Sequence, residues 1–455
     1  MDRFRTMVTS VDNPTAEVTD LLQHLIRNRC VNDGAVASGE ESRSVDTLRA
    51  HLEGSGLDVE VYEPQPGRQS LVGRIEGRDP SAPTLTLLGH LDVVPVSEER
   101  WQRDPFGGEL VDGEVWGRGA VDMLNLTSSM AFAVRRLASR GWQPDGTLVF
   151  AAVADEEAAG TWGARHLADH ELDAVRSDYV LTESGGIPMN SPAGTKLPVM
   201  VGEKGCYWCR ITVRGTAGHG SQPYKSDNAL VKAAEVVRRI SQHRPEAHIG
   251  EVWQRYLASM GLPEEATAPL LDPDRIDERL EELPLGAARL FHACTHTTMS
   301  PNIAHGGAKV NTIPDEVTLE VDVRTLPGHD RDAVEAVLLE AIGDLRDEVE
   351  IEPSVFDPAT ESPIDSPLWD SLARVAGRFY EGSQNVPMLI AGATDARFFR
   401  RLGATAYGFG LFSRHLRYED FGRMFHGDDE RVDVESLRLS TEMWEAVALD
   451  LLGGS

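Results

Sequence analysis

Apolar residues first recur at helical spacing from Asn13-Pro14 through Leu21, Leu22, Leu25 and Ile26. A second helical run ends at a Gly54-Ser55-Gly56 stop. Short apolar runs then alternate with helical patterns. Strands are predicted at 57–62, 71–76, 84–88, 147–153 and 179–182, and helices at 124–138 and 162–170. This alternation predicts an α/β domain with a mostly parallel central sheet flanked by helices. The texture changes after Gly205. A strand covering Cys206 to Val213 precedes a helix at 228–242, a Pro-punctuated helical stretch at 251–290, a strand at 317–324, a helix at 331–345 and a strand at 349–352. Such a series describes a small inserted α+β domain. From Pro358 the first texture returns, through a helix at 367–378, a strand at 387–390 and a closing helix at 434–452. The expected division is therefore a catalytic domain in two parts, 1–204 and 358–455, around an insertion at 205–357.

Composition narrows the function classes. The 455 residues exceed one ordinary core, and 41% hydrophobic with 26% charged residues are globular values. No stretch approaches the ~18 uninterrupted apolar residues of a membrane span. Residues 1–30 carry Asp12, Glu17 and Asp20 and show no secretory pattern, so a cytoplasmic location is expected. The formal charge of −29 disfavours nucleic acid and anionic membranes as partners, since these are held chiefly by Lys and Arg. Four cysteines make no disulfide framework. Cys206 and Cys209 form a CxxC, but no second pair exists and the segment alternates like a strand, so strand packing is the preferred reading.

Histidine and acidic residues recur just past apolar strands, where an open α/β sheet places its ligands. Gly89-His90-Leu91-Asp92 offers a metal ligand with a carboxylate near enough to orient its ring. The glycine-rich run Trp116 to Val121 delivers Asp122 just before a helix, and Asp155-Glu156-Glu157 follows the strand ending at Val153. Glu183 follows Leu181-Thr182, and His426 stands in Met424-Phe425-His426-Gly427-Asp428. Histidines and carboxylates in this series are the ligands a hydrolytic zinc pair requires.

On these motifs, together with Gly215-Thr216-Ala217-Gly218-His219, Asn311-Thr312-Ile313-Pro314, Asp322-Val323-Arg324 and Gly392-Ala393-Thr394-Asp395-Ala396-Arg397, the chain resembles the M20 family of metallopeptidases and amidohydrolases. The resemblance implies a zinc-peptidase-like catalytic domain, an inserted lid and dimerisation domain, and two Zn2+ per chain, for which Co2+ or Mn2+ can substitute. It implies that Asp122 bridges the metals, with His90 and Glu183 completing one site and Glu157 and His426 the other. Glu156 is then the general base and Asp92 the partner of His90. His219 reaches the active site of a second subunit to stabilise the oxyanion, which requires a homodimer. Asn302 and Arg324, with the backbone near Gly392 and Thr394, match positions that hold a substrate carboxylate, although Arg324 serves equally well as an ion pair within its strand. One departure is Met123-Leu124, where family members commonly carry a lysine.

The resulting expectation is hydrolysis of the amide bond of a small N-acyl amino acid. A dipeptidase or carboxypeptidase on the same metals is the main rival, a carbamoyl-amino acid hydrolase another, and a silent binding protein is disfavoured because all five ligands and the base are present. No phosphate-binding loop or dinucleotide fingerprint appears.

Overall fold

The computed structural model describes residues 14–454. Asn13, where the first helix is expected to start, lies outside them with residues 1–12. The described chain forms two units. The first runs to Val201 and resumes at Ser362–Val386 and from Thr394; the second comprises Gly202–Glu361 and Pro387–Ala393.

In the first unit four strands run parallel, in the order Thr147–Val153, Thr84–His90, Tyr179–Thr182 and Thr405–Gly408. The segment Leu148 to Val153 is apolar without interruption and wholly buried, as a strand covered on both faces must be. Antiparallel strands extend the sheet at both margins, Arg68–Ile75 with Asp58–Gln65 on one side and Gly194–Glu203 on the other. The helices Leu124–Ser139 and Val434–Leu452 pack together, and the buried Trp444 indole donates to Ser129 Oγ at 3.0 Å. Because the central strands are parallel, their C-terminal ends share one edge. His90 is the last residue of its strand, and Asp155 to Glu157 and Glu183 lie just beyond the ends of theirs.

The second unit carries an antiparallel sheet in the order Thr298–Gly306, Glu316–Thr325, Gly205–Arg214 and Val349–Asp357. Helices Ala229–Gln242 and Arg331–Ile342 cover one face through Val236, Ile240, Val334 and Leu338. Cys209 belongs to this core, whereas Cys206, three positions earlier on the same strand, points to the opposite face. The two thiols therefore cannot share a metal, and no disulfide joins any of the four cysteines.

Some elements differ from the sequence reading. The helical stretch expected at 251–290 is broken into Glu251–Ser259, Glu264–Thr267, Ala268–Leu271, Ile276–Glu281 and Leu285–Thr295, with Pro263, Pro269, Pro273 and Pro284 at the interruptions. The strand Thr298–Gly306 was not expected; Pro301 and an irregularity between Pro301 and Ile303 disguise an exposed edge strand. A small sheet of Arg431–Asp433, Glu114–Trp116 and Glu109–Val111 also lies beyond what alternation shows, its strands being three residues each. Among the described residues no helix is long and apolar enough to cross a membrane.

Candidate metal centre

Two overlapping clusters stand at the C-terminal edge of the parallel strands. His90, Asp122 and Glu183 form one, and Asp122, Glu157 and His426 the other, each with ligand atoms within 4.8 Å of one another. Asp122 is common to both. Its Oδ1 lies 3.2 Å from His90 Nε2 and its Oδ2 2.9 Å from His426 Nε2, while Glu157 Oε2 is 3.1 Å from the same His426 nitrogen.

Local geometry fixes each group. A Cβ at Gly89 would fall 2.5 Å from Thr127 Oγ1, whose hydroxyl donates to the His90 carbonyl at 2.9 Å, so the strand end can approach the helix only with glycine there. Glu183 enters a turn in which Gly186 has φ +71° and approaches Gly410 so closely that a Cβ would meet its carbonyl at 1.7 Å. The imidazole of His426 is stacked on Phe425, with ring centroids 5.0 Å apart.

Asp92 meets His90 chiefly through its backbone. The ring nitrogen Nδ1 of His90 meets the Asp92 backbone carbonyl at 3.0 Å and its carboxylate only at 3.6 Å. That carboxylate accepts from the backbone N–H groups of Glu156, at 3.2 Å, and Glu157, at 3.1 Å, and from Asn32 at 2.8 Å. It therefore positions the two glutamates. Asp155 completes the brace, accepting from Arg68 at 2.5 Å, from Asn32 at 3.1 Å and from the Trp162 N–H at 3.0 Å.

Three groups at the centre were given no role in the sequence reading. Glu430, fully buried, gathers N–H donors from Gly119 at 3.1 Å, Val121 at 2.7 Å and Asp122 at 3.0 Å, and pairs with Arg118 at 2.8 Å. In sequence it closes the acidic run Asp428-Asp429-Glu430, which reads as solvated charge. Asp395 is buried with neither carboxylate oxygen hydrogen-bonded, and burial pushes it up to about 7. Arg397 donates to the carbonyls of Thr394 and Ala159, at 2.5 and 3.0 Å, holding the turn that follows Glu157. Asp395 and Arg397 were visible in the motif 392–397, but nothing in the pattern marks a residue as buried.

The charges call for cations. Burial, then the charge of Glu183, pushes Glu156 well above the usual carboxylate range, and burial with the Asp122 charge does the same to Glu183. Burial works to lower His90, but the Asp122 hydrogen bond and the Glu156 and Glu183 charges raise it well above its ordinary value. Glu157 Oε1 is buried and makes no hydrogen bond. Three carboxylates and two imidazoles with an oxygen left over suit divalent metals, which satisfy such a set without protonating it.

The other expected residues lie elsewhere. Thr394 is buried in the first unit, its hydroxyl accepting the Ala396 N–H at 3.3 Å. In the second unit, exposed His219 accepts at Nδ1 from the Ser221 N–H at 3.2 Å. The neutral ring therefore carries its proton on Nε2. Asn302 accepts from the Ser300 hydroxyl at 2.7 Å. Arg324 forks onto Asp322, at 2.8 and 3.3 Å, the strand ion pair that was its alternative role. Gly392 also belongs to the second unit, and a Cβ there would meet only Ile390, at 3.9 Å.

A parallel-centred α/β sheet with buried histidine and carboxylate clusters at its C-terminal edge defines a metal-dependent hydrolase. Comparison with known proteins agrees. The model of peptidase family M20/M25/M40 matches residues 86–450, and the chain belongs to that family. It is 30% identical to human N-fatty-acyl-amino acid synthase/hydrolase PM20D1 over 374 residues, 80% of this chain and 73% of that protein. It is 27% identical to mouse aminoacylase-1 over 379 residues, 82% of this chain and 83% of the relative. The crystal structure of the M20 family metallo-carboxypeptidase Sso-CP2 from Sulfolobus solfataricus superposes with a TM-score of 0.70 at 17% identity, covering 97% of this chain and 99% of that one.

Proposed function

We propose that the chain hydrolyses the amide bond of an N-acyl amino acid bearing a free carboxylate. The observation that carries this reading is the division of Asp122, one oxygen toward His90 and the other toward His426. His90 and Glu183 would hold one zinc, Glu157 and His426 a second, and Asp122 both. Bound there, the pair would polarise the scissile carbonyl and make water acidic enough to attack near neutral pH. Glu156 takes the proton from that water and returns it to the leaving amine. Asp92, Asn32 and Asp155 hold the Glu156–Glu157 turn, which keeps the base beside the ligands rather than in place of one.

Further residues supply substrate contacts in this reading. The Nε2–H of His219 is available to donate to the developing oxyanion in a partner subunit, and Asn302, Arg324, Gly392 and Thr394 receive the substrate carboxylate. For Arg324 this means exchanging its Asp322 partner for the substrate. A homodimer through the inserted unit is supported by apolar Leu230, Val231 and Val310, all exposed in the single chain. The names of the human and mouse relatives favour N-acyl amino acids over dipeptides.

The decisive experiment assays zinc-loaded protein on N-acetyl and long-chain N-acyl amino acids and on dipeptides. Release of free amino acid from the acyl series, lost on chelation and restored by zinc, is expected. Cleavage of dipeptides alone would sink the acylase reading. Mixing His219→Ala with Glu156→Ala chains should restore activity through heterodimers. No recovery despite proven subunit exchange would exclude donation between subunits.

A further inference from the structure

The two histidines of the proposed centre are held in different ways. His90 is buried, and its Nδ1 meets the Asp92 carbonyl at 3.0 Å, the kind of outer contact that fixes the ring of a metal-ligating histidine. His426 has no counterpart to that contact. Its side chain is half-exposed and its Nε2 faces Asp122 and Glu157 at 2.9 and 3.1 Å, while its Nδ1 makes no hydrogen bond among the described residues.

What stands against the ring instead is Phe425. The two rings stack with centroids 5.0 Å apart and planes 19° from parallel. Phe425 is itself anchored, since its ring lies 5.6 Å from that of Phe421, which meets the buried Phe412 edge-on at 6.0 Å. Phe421 and Phe425 are four positions apart at the end of the helix Tyr418–Met424, the spacing at which side chains meet. The Phe425 N–H closes the last turn on the Phe421 carbonyl at 2.9 Å. The chain then turns sharply. His426 takes φ +58°, and a Cβ at Gly427 would meet the Arg423 carbonyl at 2.1 Å, so only glycine allows the turn that lays His426 against the ring before it. A row of three phenylalanines thus runs from the core to the ligand.

Stacking does more here than fill space. An imidazole that gives its Nε2 lone pair to a divalent ion takes on part of the ion's positive charge, and the face of a benzene ring attracts a positive group. The contact with Phe425 is therefore stronger with the ion bound than without it. It adds to affinity as well as aiming the ring.

We propose that Phe425 is the positioning residue of His426, holding its imidazole for the zinc shared with Glu157 by aromatic stacking in place of a hydrogen bond at Nδ1. This inference rests on the two-zinc reading above. Retention of the zinc between Glu157 and His426 then depends on an aromatic ring, and retention of the zinc between His90 and Glu183 does not.

The test reads metal affinity rather than hydrolysis. Wild type, Phe425→Ala, Phe425→Leu and Phe425→Tyr, each as the full chain, are stripped with chelator and titrated with zinc against a competing chromophoric chelator, and with cobalt followed by absorption. Two zincs are expected in wild type. The alanine and leucine variants should bind one of them about tenfold more weakly, with a changed cobalt spectrum for that ion, and the other as wild type does. Phe425→Tyr, which keeps the ring, should keep both affinities. Leucine retains an apolar group against Phe421, so a loss shared with alanine and rescued by tyrosine separates stacking from packing. Unchanged affinities in Phe425→Leu, equal weakening of both zincs there, or a tyrosine variant as weak as leucine would each overturn the proposal. Fewer than two zincs in wild type would instead refute the two-zinc reading, and this inference with it.

Discussion

The two clusters of histidine and carboxylate side chains are built in opposite ways. In the first unit His90, Glu157 and Glu183 stand at the ends of buried parallel strands, and the cluster is held by a second ring of buried groups, Glu430, Asp92, Asn32, Asp155 and Arg68. In the second unit His292 and His296 share one helix end, and Asp277 is supported by no comparable network. A centre that must place a base beside its ligands needs that outer ring, because small displacements are costly in rate. A contact that only ties two helices together can rest on helical spacing.

The sharpest way to break this contrast is Asp122→Asn. Losing the shared carboxylate is expected to empty the hydrolytic centre and reduce hydrolysis to background. Unchanged metal content, measured by elemental analysis, would show that Asp122 does not bridge. Next in size, Glu156→Gln should lower kcat about 10³-fold with metal content intact, since its task is proton transfer. Glu157→Gln should lower metal occupancy instead, and the reverse pattern would exchange the two roles.

A third change probes the outer ring. Glu430→Gln removes the charge facing Arg118 and one of the two acceptor oxygens shared by four donors, which should cost about 3 kcal/mol of stability. Thermal melting checks this, and a melting temperature equal to wild type would mean the brace is dispensable.

The smallest effect belongs to the second unit and concerns pH. Lys204, buried with its ammonium donating to the His296 carbonyl at 2.7 Å, is brought from 10.5 down to about 7 by burial. Between those values the unfolded chain binds the proton and the folded one does not, so this group makes stability rise with pH across that window; below about 7 its full penalty applies. Denaturant melts of metal-free protein at pH 7 and 9 should show the rise. Lys204→Met should flatten it, and an unchanged slope would mean that the ammonium is solvated.

The legibility of these regions in sequence differs for a physical reason. His90, Glu157 and Glu183 announce themselves because an apolar strand followed by an ionisable residue is a local signal. Asp122 and His426 needed motif resemblance as well, since no buried strand of the central sheet precedes either. Glu430 was missed because its four donors lie 308 to 312 positions earlier, and only folding turns an acidic run into a buried acceptor. His292 and His296 lie just past the helical stretch read at 251–290, where apolar periodicity gave no sign of a facing carboxylate. The edge strand Thr298–Gly306 was hidden by Pro301, a residue the interior of a sheet would reject.

The grip of Glu430 on the Asp122 loop also sets an order of events during synthesis. A nascent chain emerges from its N-terminus and folds by units as it lengthens. His90, Asp122, Glu157 and Glu183 emerge long before position 426, and although the Arg118 N–H can already meet the Pro105 carbonyl, the clamp that Glu430 sets on the Asp122 loop is still to come. A ribosome that has delivered only the first of these segments therefore displays an acidic cluster without His426 or its clamp, and in the proposed reading hydrolytic competence waits for both.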